Sequence, residues 1–474
     1  MQLNSIQKCQ KEFIDFLDYA SKAITHFSIS TMRTSQDNWP LDITIDTIVK
    51  SIVSLPNLEN LSLDCQYPNF YGAFLSAVET SGFHPKELKI RLSCPSLCSK
   101  AIAFLSSTAL MHTKIGLHYS FAWRVSESDL VKASMHLSML LAALRPASQV
   151  QELRIAYCPQ EIKKQCGESL RMFLCDNEFL ETLSLSGDFS SNVITELVTG
   201  LNQNRSVKQF IFASHRSNDL SQIIGALTEP SSQGPCVQEF QLTCHDDPKE
   251  SQVNHWAPRR LVTSPSCNLR KLKLRGFNAS HMVPVLRALP CCHPKLESLE
   301  IEDTVVQGDN PLQVMDAFIS VLPKSGNFPN LKQLVISEAV EDLDFEDEPN
   351  DALDVALLEK WKELKPKLLQ SLKNNNIHLE QVELAAIDSA GSTEDESFER
   401  DLKSVCTRNK AAKLATALTT GTLPWSSFPE IVETIMKDST EEDLTNGTLE
   451  LVWIEHLQTV LIPFLTRHGG GRIV

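Results

Sequence analysis

Cys291, Cys292 and His293 stand side by side, and thiolate and imidazole are the donors a zinc site uses. Such a site needs a second ligand pair at short spacing, and none follows. Pro294 instead marks a helix-to-strand turn with its thiols turned inward. Cys94 and Cys98 are equally isolated. Asp342, Asp344 and Glu346 have the alternation of a calcium loop, but Asp347 stands where the sharp turn needs Gly, and Leu353 where a bidentate Glu belongs. No glycine-rich phosphate loop, HExxH helix, GxSxG elbow or paired CxxC occurs. The residue types therefore predict no catalytic group, no metal and no cofactor, and the chain is not expected to be an enzyme.

What remains is the chemistry of recognition. The stretch CNLRKLKLRG, 267–276, carries Arg270, Lys271, Lys273 and Arg275. Four cations in a row could suit nucleic acid, but the 474-residue chain holds 44 Lys and Arg against 59 Asp and Glu, for a net charge of −15. A nucleic-acid binder needs a concentrated positive footprint, so that partner class is excluded. Aromatic anchors with nearby arginines are the second candidates: Tyr119, Phe121, Trp123 and Arg124 in YSFAWR, and Trp256, Arg259 and Arg260 in HWAPRR. Trp, Tyr and Arg dominate the energetic centres of protein interfaces. The 13 cysteines form no regular pairing pattern, and MQLNSIQKCQKEF has no secretory apolar run. Reduced thiols in the cytoplasm are expected. Even LELVWIEHLQTVLIPFL carries two glutamates and a histidine, so no membrane span and no membrane partner are expected.

The elements that must position these residues are legible in the same basic stretch. Leu269, Leu272 and Leu274 follow the pattern L-x-x-L-x-L, which returns in PNLENLSL, FLETLSL, PKLESLEI and PNLKQLVI, and more weakly in VQELRI, SVKQFIF, CVQEFQL and HLEQVEL. The central residues are Phe27, Leu61, Leu88, Ile115, Leu153, Leu183, Phe210, Phe240, Leu272, Leu299, Leu334 and Val382, and a step of 27 residues recurs among them. Between copies lie segments with apolar residues at helical spacing, such as NVITELVTGLNQN and SHMVPVLRALP. Each unit is therefore one strand and one helix. No unit can bury its own leucines, so neighbours must stack into one continuous core.

This unit resembles the ribonuclease-inhibitor class of leucine-rich repeats over residues 20–390. The resemblance implies an α/β solenoid, a horseshoe with a parallel concave sheet and convex helices. That class places Asn or Cys three residues beyond the last strand leucine. Only Cys158 stands there, with Cys65 and Cys244 one residue early, so the turn ladder is expected to be irregular. The catalytic cysteine of bacterial leucine-rich-repeat ubiquitin ligases is followed two residues later by Asp, whereas Cys406 is followed by Thr407 and Arg408. The C-terminal helices resemble the tails of intracellular leucine-rich-repeat proteins of algae, protists and some bacterial effectors. LPWSSFPEIVETIMKDSTEEDL is similar to an F-box at Leu423, Pro424, Pro429, Glu430, Ile431 and Ile435, which implies a substrate adaptor of a ubiquitin ligase as an alternative. Repeats joined to an acidic region are similar to Ran-type GTPase-activating proteins, the other alternative.

The domain organisation expected is an N-terminal helical cap over 1–20, a solenoid over 21–390 and a helical C-terminal cap over 391–474. An acidic insert at 338–354, with nine acids and no base, should leave the solenoid as a loop between a strand ending near Ser337 and a helix starting near Leu353. Adding 27 places Arg270 beside Glu297, Lys271 beside Ser298, Lys273 beside Glu300 and Arg275 beside Glu302. Opposite charges on neighbouring strands contribute about 0.2–1 kcal/mol per pair. The sequence thus points to a monomeric interaction scaffold that binds a protein partner through its concave face and rim loops. The expected contacts are Tyr119, Trp123, Arg124, Trp256, Arg259, Arg260, Arg270, Lys271, Lys273, Arg275, Glu300 and Glu302.

Overall fold

The computed structural model describes residues 15–17, 19–30, 42–64, 68–92, 105, 113–120, 127–144, 150–158, 164–214, 217–228, 236–244, 257–305, 312–322, 330–339, 351–374, 379–386, 397–406 and 409. The chain forms two compact units, Met1–Asn254 and His255–Val474.

The first unit holds eight parallel strands in chain order. They are β1 (His26–Ser30), β2 (Asn60–Asp64), β3 (Glu87–Leu92), β4 (Lys114–Ser120), β5 (Val150–Cys158), β6 (Thr182–Gly187), β7 (Gln209–Ser214) and β8 (Glu239–Cys244). Its described helices are α1 (Asp42–Val53), α2 (Pro68–Ser81), α3 (Glu127–Leu144), α4 (Lys164–Asp176), α5 (Ser191–Gln203) and α6 (Ser217–Thr228). The second unit holds β9 (Lys271–Arg275), β10 (Ser298–Val305), β11 (Gln333–Ala339) and β12 (Gln381–Ala386) with α7 (Ala257–Thr263), α8 (Ala279–Arg287), α9 (Gln313–Val321) and α10 (Asp351–Asn374). Alternating strands and helices in a parallel ladder are the expected repeat of one strand and one helix.

The strands alternate because one face meets the helices and the other does not. In β3, Leu88, Ile90 and Leu92 are buried while Lys89 and Arg91 are exposed. Each strand sets its leucines beside those of the next: Leu61 faces Leu88, Leu183 faces Phe210, Leu272 faces Leu299, and Leu334 faces Val382. Phenylalanines replace leucine midway, and the Phe210 and Phe240 rings stack with centroids 5.4 Å apart. The helices close this core from one side. Helix α5 buries Val193, Ile194, Leu197, Gly200 and Leu201, a single helical stripe. Gly200 lets α4 approach: a Cβ there would lie 2.9 Å from Leu174 Cδ1 and 3.1 Å from the Arg171 Cα.

Three particulars differ from the sequence reading. The first is the register between β4 and β5. Leu117, not Ile115, faces Leu153, and Ile115 faces Val150 across a bulge. A slip of two residues keeps every side chain on its own face, so the apolar pattern reads the same either way. The second is the turn ladder, which lies at the helix-to-strand turns. Asn177 Oδ1 accepts from the amides of Phe179 and Leu180, both at 2.8 Å, and Asn204 Oδ1 accepts from Ser206 and Val207. The third is the acidic insert. Strand β11 continues to Ala339 with Glu338 facing Ala386, and α10 begins at Asp351, so 340–350 alone lies outside the described residues.

At the ends, Leu17 is buried while Tyr19 and Phe16 are exposed, and a helical stretch over 397–406 buries Phe398, Leu402, Val405 and Cys406. The Phe398 ring meets Trp361 of α10 edge-on at 5.5 Å, and Lys365 Nζ stands 5.3–5.4 Å above both rings. The tail beyond 410, including the F-box-like stretch, lies outside the described residues.

Candidate interaction surface

The face of each ladder that points away from the helices carries the charged side chains. In the second unit, Lys271 faces Ser298, Lys273 faces Glu300 and Arg275 faces Glu302, in the register that the 27-residue step predicts. Lys273 Nζ sits 2.7 Å from Glu302 and 3.3 Å from Glu300. Burial alone would lower its pKa, but hydrogen bonds to Glu302 and Glu300 outweigh burial and raise it. One residue before the strands, Arg270 lies 3.9 Å from Glu297, whose carboxylate also meets Lys332 at 2.8 Å. The basic stretch is therefore internally compensated, one strand of cations against one of acids.

The remaining candidates fall elsewhere. Tyr119 is no rim residue. It closes the core of β4 at 2% exposure, and its hydroxyl donates to the Ala133 carbonyl of α3 at 3.3 Å. Arg259, half-buried, and Arg260, exposed, belong to α7, whose Ala257, Pro258, Leu261 and Val262 are buried. Trp123, Arg124 and Trp256 lie outside the described residues.

A second charged cluster, in the first unit, was not anticipated. It occupies the sheet face over β3, β4 and β5. One row runs Asp64, Arg91, His118, Arg154, and the row before it runs Ser62, Lys89, Gly116, Glu152. Arg91 pairs with Asp64 at 3.3 Å, Lys89 with Glu87 at 3.2 Å, and Arg154 with Glu152. Burial, then the charges of Arg91 and Arg154, push the His118 imidazole down to about 4, with only Glu152 opposing. His118 is thus neutral at physiological pH in a locally positive field. The two-residue slip creates this row: in the register expected from sequence, Arg154 would face Gly116.

Cys291 is exposed, Cys292 half-buried and His293 buried, at a turn where the His293 amide donates to the Val262 carbonyl at 2.9 Å. Burial lowers the pKa of His293 and raises those of the Cys292 and Cys267 thiols. It also pushes Cys406 up to about 11 and Cys166 up to about 12, so these thiols stay protonated and weakly nucleophilic at neutral pH. Among the described residues no three His, Cys, Asp or Glu side chains gather as a metal site, and no helix is long and apolar enough to cross a membrane. No family model matches the chain, and no curated protein is significantly similar to it.

Proposed function

We propose that the chain is a non-enzymatic interaction scaffold, a leucine-rich-repeat horseshoe that binds a protein partner through its concave face and rim loops. The observation that carries this reading is the contrast between the two faces of each ladder. One is closed by helices over an apolar core; the other presents rows of charged and polar side chains in fixed register. Charge rows on a rigid sheet favour a partner of complementary pattern and reject others, which is how electrostatics confers specificity. We place the protein in the cytoplasm as a monomer, on 13 cysteines whose spacing forms no regular pairing pattern and a net charge of −15.

The test is site-specific photo-crosslinking in cells with a benzophenone side chain. It is placed at Ile211 or Val335 on the open faces, and at Thr195 on the outer side of α5 as the control. The expected result is one protein crosslinked from Ile211 or Val335 and absent from Thr195, recovered whether or not nucleotides are removed. Crosslinking only from Thr195, or none at any position, would overturn the reading.

A further inference from the structure

We propose that the open face over β3–β5 is a docking site for an Asp/Glu-rich segment of a protein partner, seated on Arg91, His118 and Arg154. The inference rests on the scaffold reading and gives the partner its chemistry. Over β2–β5, four cations, Lys89, Arg91, Lys114 and Arg154, stand against three carboxylates, Asp64, Glu87 and Glu152. One surplus positive charge therefore lies within a protein of net charge −15. Arg91 and Arg154 stand one strand to either side of His118, about 10 Å apart at the usual strand spacing. The histidine between them responds to their positive field, so a carboxylate placed over it would be stabilised where a third cation would be repelled.

The internal pairs do not block this exchange. The Arg91 and Arg154 side chains are 46% and 51% exposed, and ion pairs so exposed contribute only about 0–1 kcal/mol. Gly116 is buried between the Lys89 and Glu152 side chains, a Cβ there standing 3.2 Å from Lys89 Cγ and 3.5 Å from Glu152 Oε2, so an incoming segment meets the exposed Arg91 and Arg154 side chains and not the glycine backbone.

The experiment titrates the full-length protein with a fluorescent peptide of about a dozen alternating Glu and Ser residues, read by anisotropy at low and physiological salt. Wild type should bind. R91Q/R154Q should weaken binding at least about tenfold, or about 1.4 kcal/mol, with an unchanged circular dichroism spectrum. The pair K362Q/K373Q, exposed on helix α10, should leave binding unchanged. Absence of wild-type binding, or equal binding by R91Q/R154Q, overturns the site. Tighter binding of the same peptide with phosphoserines overturns the carboxylate assignment. If the peptide fails while a partner crosslinks from Ile211 or Val335, this inference falls and the scaffold reading stands. If no partner crosslinks from the open faces but the peptide titration behaves as expected, the face binds acidic peptide in solution, while the scaffold reading falls and the assignment of that face to a protein partner falls with it.

Discussion

Asn204 is the residue whose removal the packing makes most costly for its size. It caps the end of α5, is 4% exposed, and joins two repeats through one amide. Its Nδ2 donates to the carbonyls of Leu174 at 2.7 Å and Asn177 at 2.9 Å, at the end of α4. Its Oδ1 accepts from the amides of Ser206 at 2.9 Å and Val207 at 2.8 Å, which lead into β7. Asn204→Ala removes these four bonds and a fifth, from Ser206 Oγ to Oδ1 at 3.1 Å, and leaves buried backbone groups that cannot reach water. At about 1 kcal/mol each, more where a group stays unsatisfied, the loss is about 3–5 kcal/mol. Over a unit of this size that lowers the melting temperature by roughly 10 °C. Asn177 occupies the equivalent turn but uses only its oxygen; its Nδ2 has no partner. Asn177→Ala should therefore cost about half as much, about 2 kcal/mol. Asn204→Asp keeps the acceptor but faces two carbonyls with a carboxylate, and should be at least as damaging as alanine. Urea unfolding by circular dichroism gives the three values, and hydrogen exchange over 174–207 shows whether the loss is local. Equal costs for the two alanines, or under about 1 kcal/mol for Asn204→Ala, would refute the reasoning.

The folded-state pKa of His118 lies below its unfolded value, so the unfolded chain binds the extra proton. Stability from this group is complete above about pH 6.5 and falls as pH drops toward 4; H118Q should flatten that part of a urea midpoint-versus-pH curve. Gly200→Val should destabilise the first unit by about 3 kcal/mol or more in thermal unfolding, because backbone of α4 stands where the side chain must go. Oxidised cysteines at 117 and 153 should crosslink in preference to a pair at 115 and 153, since the first pair is directly opposed across β4 and β5; peptide mapping by mass spectrometry reads the outcome. Truncation after residue 390 should expose Trp361 and raise dye binding or aggregation, seen by light scattering, because Phe398 and its neighbours cover that end.

The repeat was legible because its signal is periodic and apolar. Leucines two residues apart, such as Leu272 and Leu274, share one face of a strand, and a recurring 27-residue step fixes which leucines neighbour which. The register of Lys273 against Glu300 followed from that step alone. The first-unit cluster escaped for the same physical reason. A strand repeats every two residues, so sliding β5 by two against β4 buries the same leucines, and apolar spacing cannot choose between the two alignments. The choice shows only in the partners of the outward side chains. One alignment puts Arg154 over a bare glycine; the other puts it beside His118, in line with Arg91. It also changes what Tyr119 is: facing Ile155, it is the last core residue of its strand instead of the first residue of a loop. Polar positions on the open face have no burial requirement of their own, so their neighbours are inherited from whichever register the core and the bulge settle between them. In a solenoid whose binding surface is that face, a break in the regular step alters the surface charge pattern while leaving the core almost unchanged.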